Sequence, residues 1–420
     1  MKKFTALLLS IAMVATLCAC GSTADTAATD ATAETTEATE TTDAAATEAA
    51  VTVKAGFICL HDENSTYDLN FINAAKEACE KMGIEYVIKT NIPEGQECYE
   101  AACELADAGC NFIFADSFGH EDYMIEAAKE YPDVQFCHST GTRAHTENLA
   151  NYHNAFASIY EGRYLAGIAA GMKLNEMIEA GQFTKDEAKM GYVGAFTYAE
   201  VISGYTSFYL GAKSVCPTVT MDVTFTGSWY DEALEKEGAQ KLIAGGCKLI
   251  SQHADSLGAP TACENAKVPN VSYNGSTKDA APNTYIISSR INWAPYYEYA
   301  IKAVMDGKTI DTDWTGTLAT GSVVLTELNE AVAAKGTAEA IKAAQEKLEK
   351  GELHVYDTAT FTVKGAPLSV DHMADVDTDE AYTPDTKVVK DGYFAESEFR
   401  SAPYFDLEID GITRLDVNFG

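Results

Sequence analysis

Two short runs set an imidazole beside a carboxylate, the pairing that binds a metal ion or moves a proton: His61-Asp62-Glu63 and His253-Ala254-Asp255. Two ligands do not complete a metal site, and both runs fit a polar loop or a cleft wall better. The sequence holds no GxSxG elbow, GxxxxGKS/T loop, HExxH or GxGxxG. The signatures of nucleophilic, phosphate-cradling, zinc-hydrolase and dinucleotide chemistry are therefore missing. No catalytic residue, metal or cofactor is expected. Ring-bearing side chains recur instead: Tyr67, Phe118, Phe196, Tyr198, Trp229 and Trp293. Asn64, Asn70, Asp116, Ser117, Asp255, Ser256, Asp279 and Asn292 are interleaved with them. Rings stack on a flat ligand and a few polar groups fix its orientation. Any one aromatic serves a core equally well; their grouping after strands favours a cleft.

Those residues are positioned by alternating apolar runs and helical segments. Ala55–Leu60 reads as a continuous strand of the parallel-sheet kind. A helix with apolar residues at helical spacing follows over Leu69–Met82 and stops at Gly83. Strands at 86–88, 112–115 and 134–137 alternate with helices at 98–108 and 123–130. The pattern restarts with a small-residue helix at 159–172, strands at 190–194, 220–225, 248–251 and 271–273, and helices at 200–215 and 232–244. Residues 285–307 add a strand and a helix; beyond 320 the pattern is irregular, with a helix near 337–350 and strand-like 354–356 and 361–363. Repeated βα units of this length imply α/β lobes with doubly wound parallel sheets. Open α/β sheets bind ligands at the carboxyl ends of their strands. The expected ligand loops are residues 61–68, 116–122, 195–200, 226–231, 253–258 and 274–279.

The chain starts with Lys2 and Lys3, an apolar run from Phe4 to Leu17, and Leu17-Cys18-Ala19-Cys20-Gly21. The run is shorter than the ~18–20 residues that span a bilayer and reads as a secretory signal. Its end resembles a bacterial lipobox, which makes Cys20 the expected lipidated residue and 1–20 the signal. Residues 21–50 are nearly all Thr, Ala, Glu and Asp, with no aromatic and no Lys or Arg. Such a stretch cannot bury enough apolar surface to fold and reads as an acidic tether. Formal charge is −33, and residues 1–50 hold two lysines and seven acids, which leaves −28 on the rest. That surface repels nucleic acid and anionic lipid. Nine of the eleven cysteines lie after Cys20, an odd number with no CxxC spacing, so complete internal pairing is excluded.

Seven segments in order are similar to one family: Phe114-Ala115-Asp116-Ser117-Phe118-Gly119, Tyr131–Phe136, Tyr160–Gly167, Leu210–Val215 with Pro217, Ser228-Trp229-Tyr230-Asp231, Gln252–Ser256 and Asn292–Tyr297. They resemble the basic membrane protein family of ABC-transporter substrate-binding lipoproteins, relatives of the purine-nucleoside receptors, from about Lys54 to about Ile412. The resemblance implies a type I periplasmic-binding-protein fold with hinge crossings near 152–157, 275–284 and 313–320. It divides the chain into a first lobe of 51–155 plus 285–315 and a second of 156–284 plus 316–420. It also implies a purine nucleoside or base as ligand, with Tyr67 and Phe118 at the base and Trp229 and Asp279 in the second-lobe cleft. The family often has an Asp where Asn64 stands, and a Trp or Phe where Tyr67 stands.

Asn64, Tyr67, Asn70, Asp116, Ser117, Phe118, Trp229, His253, Asp255, Asp279 and Trp293 are thus the expected ligand residues. The expected partners are the small-molecule ligand, ABC permease subunits and the outer face of a cell membrane, with no nucleic acid and a monomeric chain. Three other readings remain open: a sensor for a membrane signalling partner, a receptor for a sugar or other small aromatic solute, and an extracytoplasmic enzyme such as a nucleoside hydrolase.

Overall fold

The computed structural model describes residues 51–376 and 385–416. The expected signal, Cys20 and the tether lie outside the described residues. The first sheet begins with β1 (Lys54–Ile58), whose residues 55–58 are all buried, as befits a strand covered by helices on both faces. It continues through α1 (Thr66–Met82), β2 (Glu85–Lys89), α2 (Gln96–Asp107), β3 (Phe112–Ala115), α3 (Glu121–Glu130), β4 (Gln135–Ser139), the short α4 (Ala144–Glu147) and β5 (Tyr152–Ala157). The second sheet follows: α5 (Ile159–Glu179), β6 (Lys189–Gly194), α6 (Ala199–Val215), β7 (Thr220–Phe225), α7 (Glu232–Ala244), β8 (Leu249–His253), α8 (Gly258–Ala266), β9 (Asn270–Tyr273) and β10 (Tyr285–Ile291). The chain then runs through α9 (Ala294–Met305), β11 (Asp313–Gly316), β12 (Val323–Leu325) and α10 (Thr337–Glu349). The short pairs β13 (Met373–Ala374) with β14 (Thr386–Lys387) and β15 (Val389–Lys390) with β16 (Tyr393–Phe394) precede β17 (Ile412–Arg414).

The strand orders are β11-β5-β4-β3-β1-β2 and β12-β10-β9-β8-β6-β7-β17. Apart from the antiparallel pair β10/β12, every pairing in these two sheets is parallel. Both sheets therefore share one winding, with the order reversing beside β1 in the first and beside β6 in the second. That reversal is where open α/β sheets form a crevice.

The chain crosses between sheets at Ser158, at Asn292 and at residues 317–322. The crossings lie side by side: Ser158 N donates to Gly316 O (2.8 Å) and Asn292 N to Ser322 O (2.7 Å). The middle one departs from expectation. Tyr285–Ile291 pairs with β9 and β12 in the second sheet, so the first lobe resumes at residue 292 and not at 285. Residues 354–356 and 361–363 form no regular strand; Val355, Tyr356 and Phe361 are buried in the second lobe's core instead.

The α5/α6 packing rests on close backbone approach. A Cβ on Gly167 would lie 2.1 Å from Phe208 O, and one on Gly211 would lie 2.0 Å from Tyr164 O, so only glycine fits at either position. Beyond α10 the chain wraps the second lobe. Tyr356 stacks on Phe405 (4.2 Å, 12°) and β17 extends the sheet beside β7. This segment also reaches the first lobe, where Ser401 N donates to Asp313 Oδ2 (2.8 Å) on β11. All nine described cysteines are free thiols, and all but Cys103 are buried, where free Cys packs as a small hydrophobe.

Candidate functional site

The carboxyl ends of the two sheets face each other across one narrow cleft. The first lobe supplies Leu60 and His61 after β1, Tyr67 and Asp68 from the start of α1, Ser117 and Phe118 after β3, and Thr140 after β4. The second supplies Glu200 from the first turn of α6, Trp229 after β7, His253 at the end of β8, and Asp255 beyond it.

The first wall is built around a helix cap. Ser65 caps α1 by accepting from Asp68 N, and its hydroxyl donates to Asp68 Oδ2 (2.6 Å). Asp68 Oδ1 accepts from His61 N (2.8 Å), which folds the β1–α1 loop back on itself. Tyr67 is left facing the cleft, with its hydroxyl donating to Asp116 O (2.8 Å). Glu94 accepts from Ser117 Oγ (2.6 Å) and Gly119 N (2.8 Å), gripping the turn that presents Phe118, which is 36% exposed. Thr140 has φ 60°, a left-handed conformation that is a genuine outlier for a β-branched residue and characteristic of sites that hold strain for function. Asn274 (φ 65°) occupies the matching position after β9.

The second wall is pinned by a buried glutamate. Glu235 accepts from Asp231 N and Ser256 N, both at 3.2 Å, and so ties the loop after β7 to the loop after β8. Burial pushes its carboxyl up to about 7. Asp255 N donates to Trp229 O (3.0 Å) between the same loops. Trp229 packs edge-on against Phe196 (5.0 Å). His253 Nε2 lies 3.4 Å from Glu200 Oε1; burial lowers the imidazole's pKa, and Glu200 offsets only part of that. Behind this wall Arg163 is fully buried, donating to Gln252 O (3.3 Å) and Tyr192 Oη, with its guanidinium 4.5 Å from the Tyr273 ring centre.

The lining contains three carboxyls, two imidazoles and no Lys or Arg. Burial, reinforced by Asp68, raises the Asp116 carboxyl well above the usual range, and burial does the same for Asp255. Asp68 goes the other way: burial opposes its ionisation, but hydrogen bonds from His61 and Ser65 outweigh it. Two adjacent acids are tolerated because burial and the neighbouring Asp68 both favour the neutral form of Asp116. Asp68, Asp116 and the Cys59 thiol bring donor atoms within 4.8 Å of one another. Burial, with Asp116 and Asp68 nearby, holds that thiol far above its ordinary value.

Seven of the sequence-predicted residues lie at the cleft or directly beneath it: Tyr67, Ser117, Phe118, Trp229, His253 and Asp255 line it, and Asp116 sits under Tyr67. Four do not line it. Asn64 is exposed and caps its own loop by donating to Asp62 Oδ1. Asn70 reaches across the lobes, its Nδ2 donating to Asn274 O (2.7 Å). Asp279 is exposed in the turn after β9. Trp293 is 1% exposed and stacks on Phe71 (4.6 Å, 25°) inside the first lobe. Asp68 and Glu200 fall inside the expected ligand loops 61–68 and 195–200 but are not among the residues singled out there, because both sit in first turns of helices. The Ser65-x-x-Asp68 capping pattern was a readable signal for the former; nothing comparable marks Glu200.

The lobes touch around the cleft. Thr66 N donates to Asp255 O (3.0 Å), Phe118 stacks on Tyr198 (4.8 Å, 24°) and His61 meets Tyr230 (5.4 Å). Two lobes of one winding, three adjoining crossings and a shared aromatic and acidic cleft are the anatomy of a receptor that closes on a small solute.

The comparisons with known proteins agree. Solved solute-binding proteins of ABC transporter systems share the fold: one from Aeropyrum pernix (TM-score 0.61, 18% identity, 72% of this chain and 92% of that one) and one from Conexibacter woesei (TM-score 0.58, 20% identity, 72% and 98%). The purine-binding protein of Brucella abortus is 33% identical over 267 residues, covering 62% of this chain and 71% of that protein. A putative ABC transporter glucose-binding protein of Haloferax volcanii is 30% identical over 289 residues, 69% of each. The nucleoside-binding protein BmpA of Lactococcus lactis is 26% identical over 243 residues, 56% of this chain and 65% of that protein. Residues 55–358 match the Bmp family, described as ABC transporter substrate-binding protein, PnrA-like. Among the described residues no helix is long and apolar enough to cross a membrane. Substrate-binding proteins of this family act on the extracytoplasmic side and hand a small molecule to permease subunits. The chain belongs to the PnrA-like family of ABC transporter substrate-binding proteins.

Proposed function

We propose that the cleft closes on a purine base or purine nucleoside and delivers it to the permease of an importer. The observation that carries this reading is the placing of rings on both walls, Tyr67 and Phe118 on one and Trp229 on the other. A flat heterocycle held between rings gains roughly 0.5–1.5 kcal/mol per ring pair beyond area burial. Ser117, His253 and Asp255 fix its orientation, with Asp116 holding Tyr67 from beneath; Asp279, Asn64 and Trp293 have no direct part. Closure is favoured only by the ligand's extra affinity for the closed form. The ligand leaves unaltered, so incubation with nucleosides releases no free base. Cys20 carries the lipid that holds the receptor to the outer membrane face, through residues 21–50 as tether.

The glucose-binding relative favours a second reading, in which the rings cover the apolar face of a sugar and the acids take its hydroxyls. Mass spectrometry of small molecules released on denaturing the purified protein separates the two. A purine mass supports the proposal; a hexose in its place contradicts it.

A further inference from the structure

Resting on the purine reading, we infer that Glu200 sets the choice between amino- and oxo-substituted purines, accepting a hydrogen bond from the ligand's exocyclic amine. The partners of the lining acids lead there. Asp68 is consumed by His61 N, Ser65 Oγ and His61 Nδ1. Asp255 accepts from Asn274 Nδ2 (3.2 Å) on Oδ1 alone, but burial raises its carboxyl well above the ordinary range, which disfavours the acceptor-only form. Among the described residues Glu200 has only the long contact to His253, on one of its two oxygens. It lies in the first turn of α6, where a negative side chain is favoured.

His253 positions that carboxylate. Its Nδ1 is buried without a partner, and a Cβ on Gly204 would lie 2.9 Å from it. Nδ1 faces Gly204, which offers it no side-chain acceptor, so Nε2–H is the proton placed to donate to Oε1. Oε2 is then the acceptor available to a ligand. A carboxylate offers acceptors alone. An amine edge satisfies it, whereas a carbonyl edge sets oxygen against oxygen and leaves buried acceptors unpaired, the arrangement that discriminates most strongly between similar ligands.

Calorimetry of the full chain with adenine and hypoxanthine, for wild type, Glu200→Gln and Glu200→Asp, tests this. Wild type should prefer adenine about tenfold or more, the usual worth of a hydrogen bond to a charged group. Glu200→Gln presents either edge of an amide and should bring the two affinities to within about threefold. Glu200→Asp keeps acceptor-only chemistry and should retain the preference even where both ligands weaken. An unchanged preference in Glu200→Gln overturns the inference while leaving the purine reading intact. Wild type that binds neither base overturns the inference, and the purine reading falls with it only if adenosine and guanosine also give no binding.

Discussion

In the first lobe the acid on the cleft wall, Asp68, is consumed by the loop it shapes, whereas in the second Glu200 keeps an oxygen for the cleft. The strand orders are the same and left-handed residues follow the equivalent strands β4 and β9, so topology does not make the difference. The first turn of each leading helix does. In α1 it holds a Ser-capped Asp68 that folds inward. In α6 it holds Glu200 beneath an uncapped Tyr198, with His253 to steer it. One winding used twice thus yields a wall that stacks, with Tyr67 and Phe118, and a wall that stacks with Trp229 and also accepts hydrogen bonds.

The largest expected effect concerns the brace of the second wall. Glu235 has a folded-state pKa near 7 against an ordinary value of 4.5. Its protonated form is the one the fold accommodates, so the contribution is fully present below pH 4.5 and is lost as pH rises through 7. The cost of keeping it is about 3 kcal/mol by pH 8. Chemical denaturation of Glu235→Gln across pH 5–8 should show a flatter decline than wild type; parallel curves would remove Glu235 as the source. Next in size, Phe118→Ala and Trp229→Ala should each weaken purine binding by about 2 kcal/mol, roughly 30-fold, through lost area and stacking. A loss confined to one variant would make the site one-sided.

Smaller effects follow at the lobe contacts. Asn70→Ala removes the cross-lobe bond to Asn274 O and should shift the open–closed balance by about 1 kcal/mol, read as a larger radius of gyration for the unliganded protein in solution scattering. The smallest effects are at positions the structure sets away from the cleft. Asn64→Ala and Asp279→Ala should leave ligand affinity within about 0.5 kcal/mol of wild type by titration.

Much of this was legible in the chain. Continuous apolar runs such as Phe112–Ala115, set between helices that stop at Gly83 and Gly109, announce a covered parallel sheet. The loops after those strands point to the cleft because winding order dictates where strands end. The sheet a strand joins is not written in its local pattern, however, and Tyr285–Ile291 reads the same in either lobe. Trp293 follows a strand as a cleft residue would, but its ring is captured by Phe71 and Phe114, a contact 222 and 179 residues away in sequence. Thr140 is hidden for the opposite reason: a β-branched residue argues against the left-handed turn it adopts.

The central claim is that rings from both lobes hold a flat nitrogen heterocycle. Titration calorimetry of the wild-type chain with adenine, hypoxanthine, adenosine, guanosine and glucose tests it most directly. The account predicts saturable one-to-one binding of at least one purine and none of glucose. Saturable binding of glucose with no heat from any purine would contradict it.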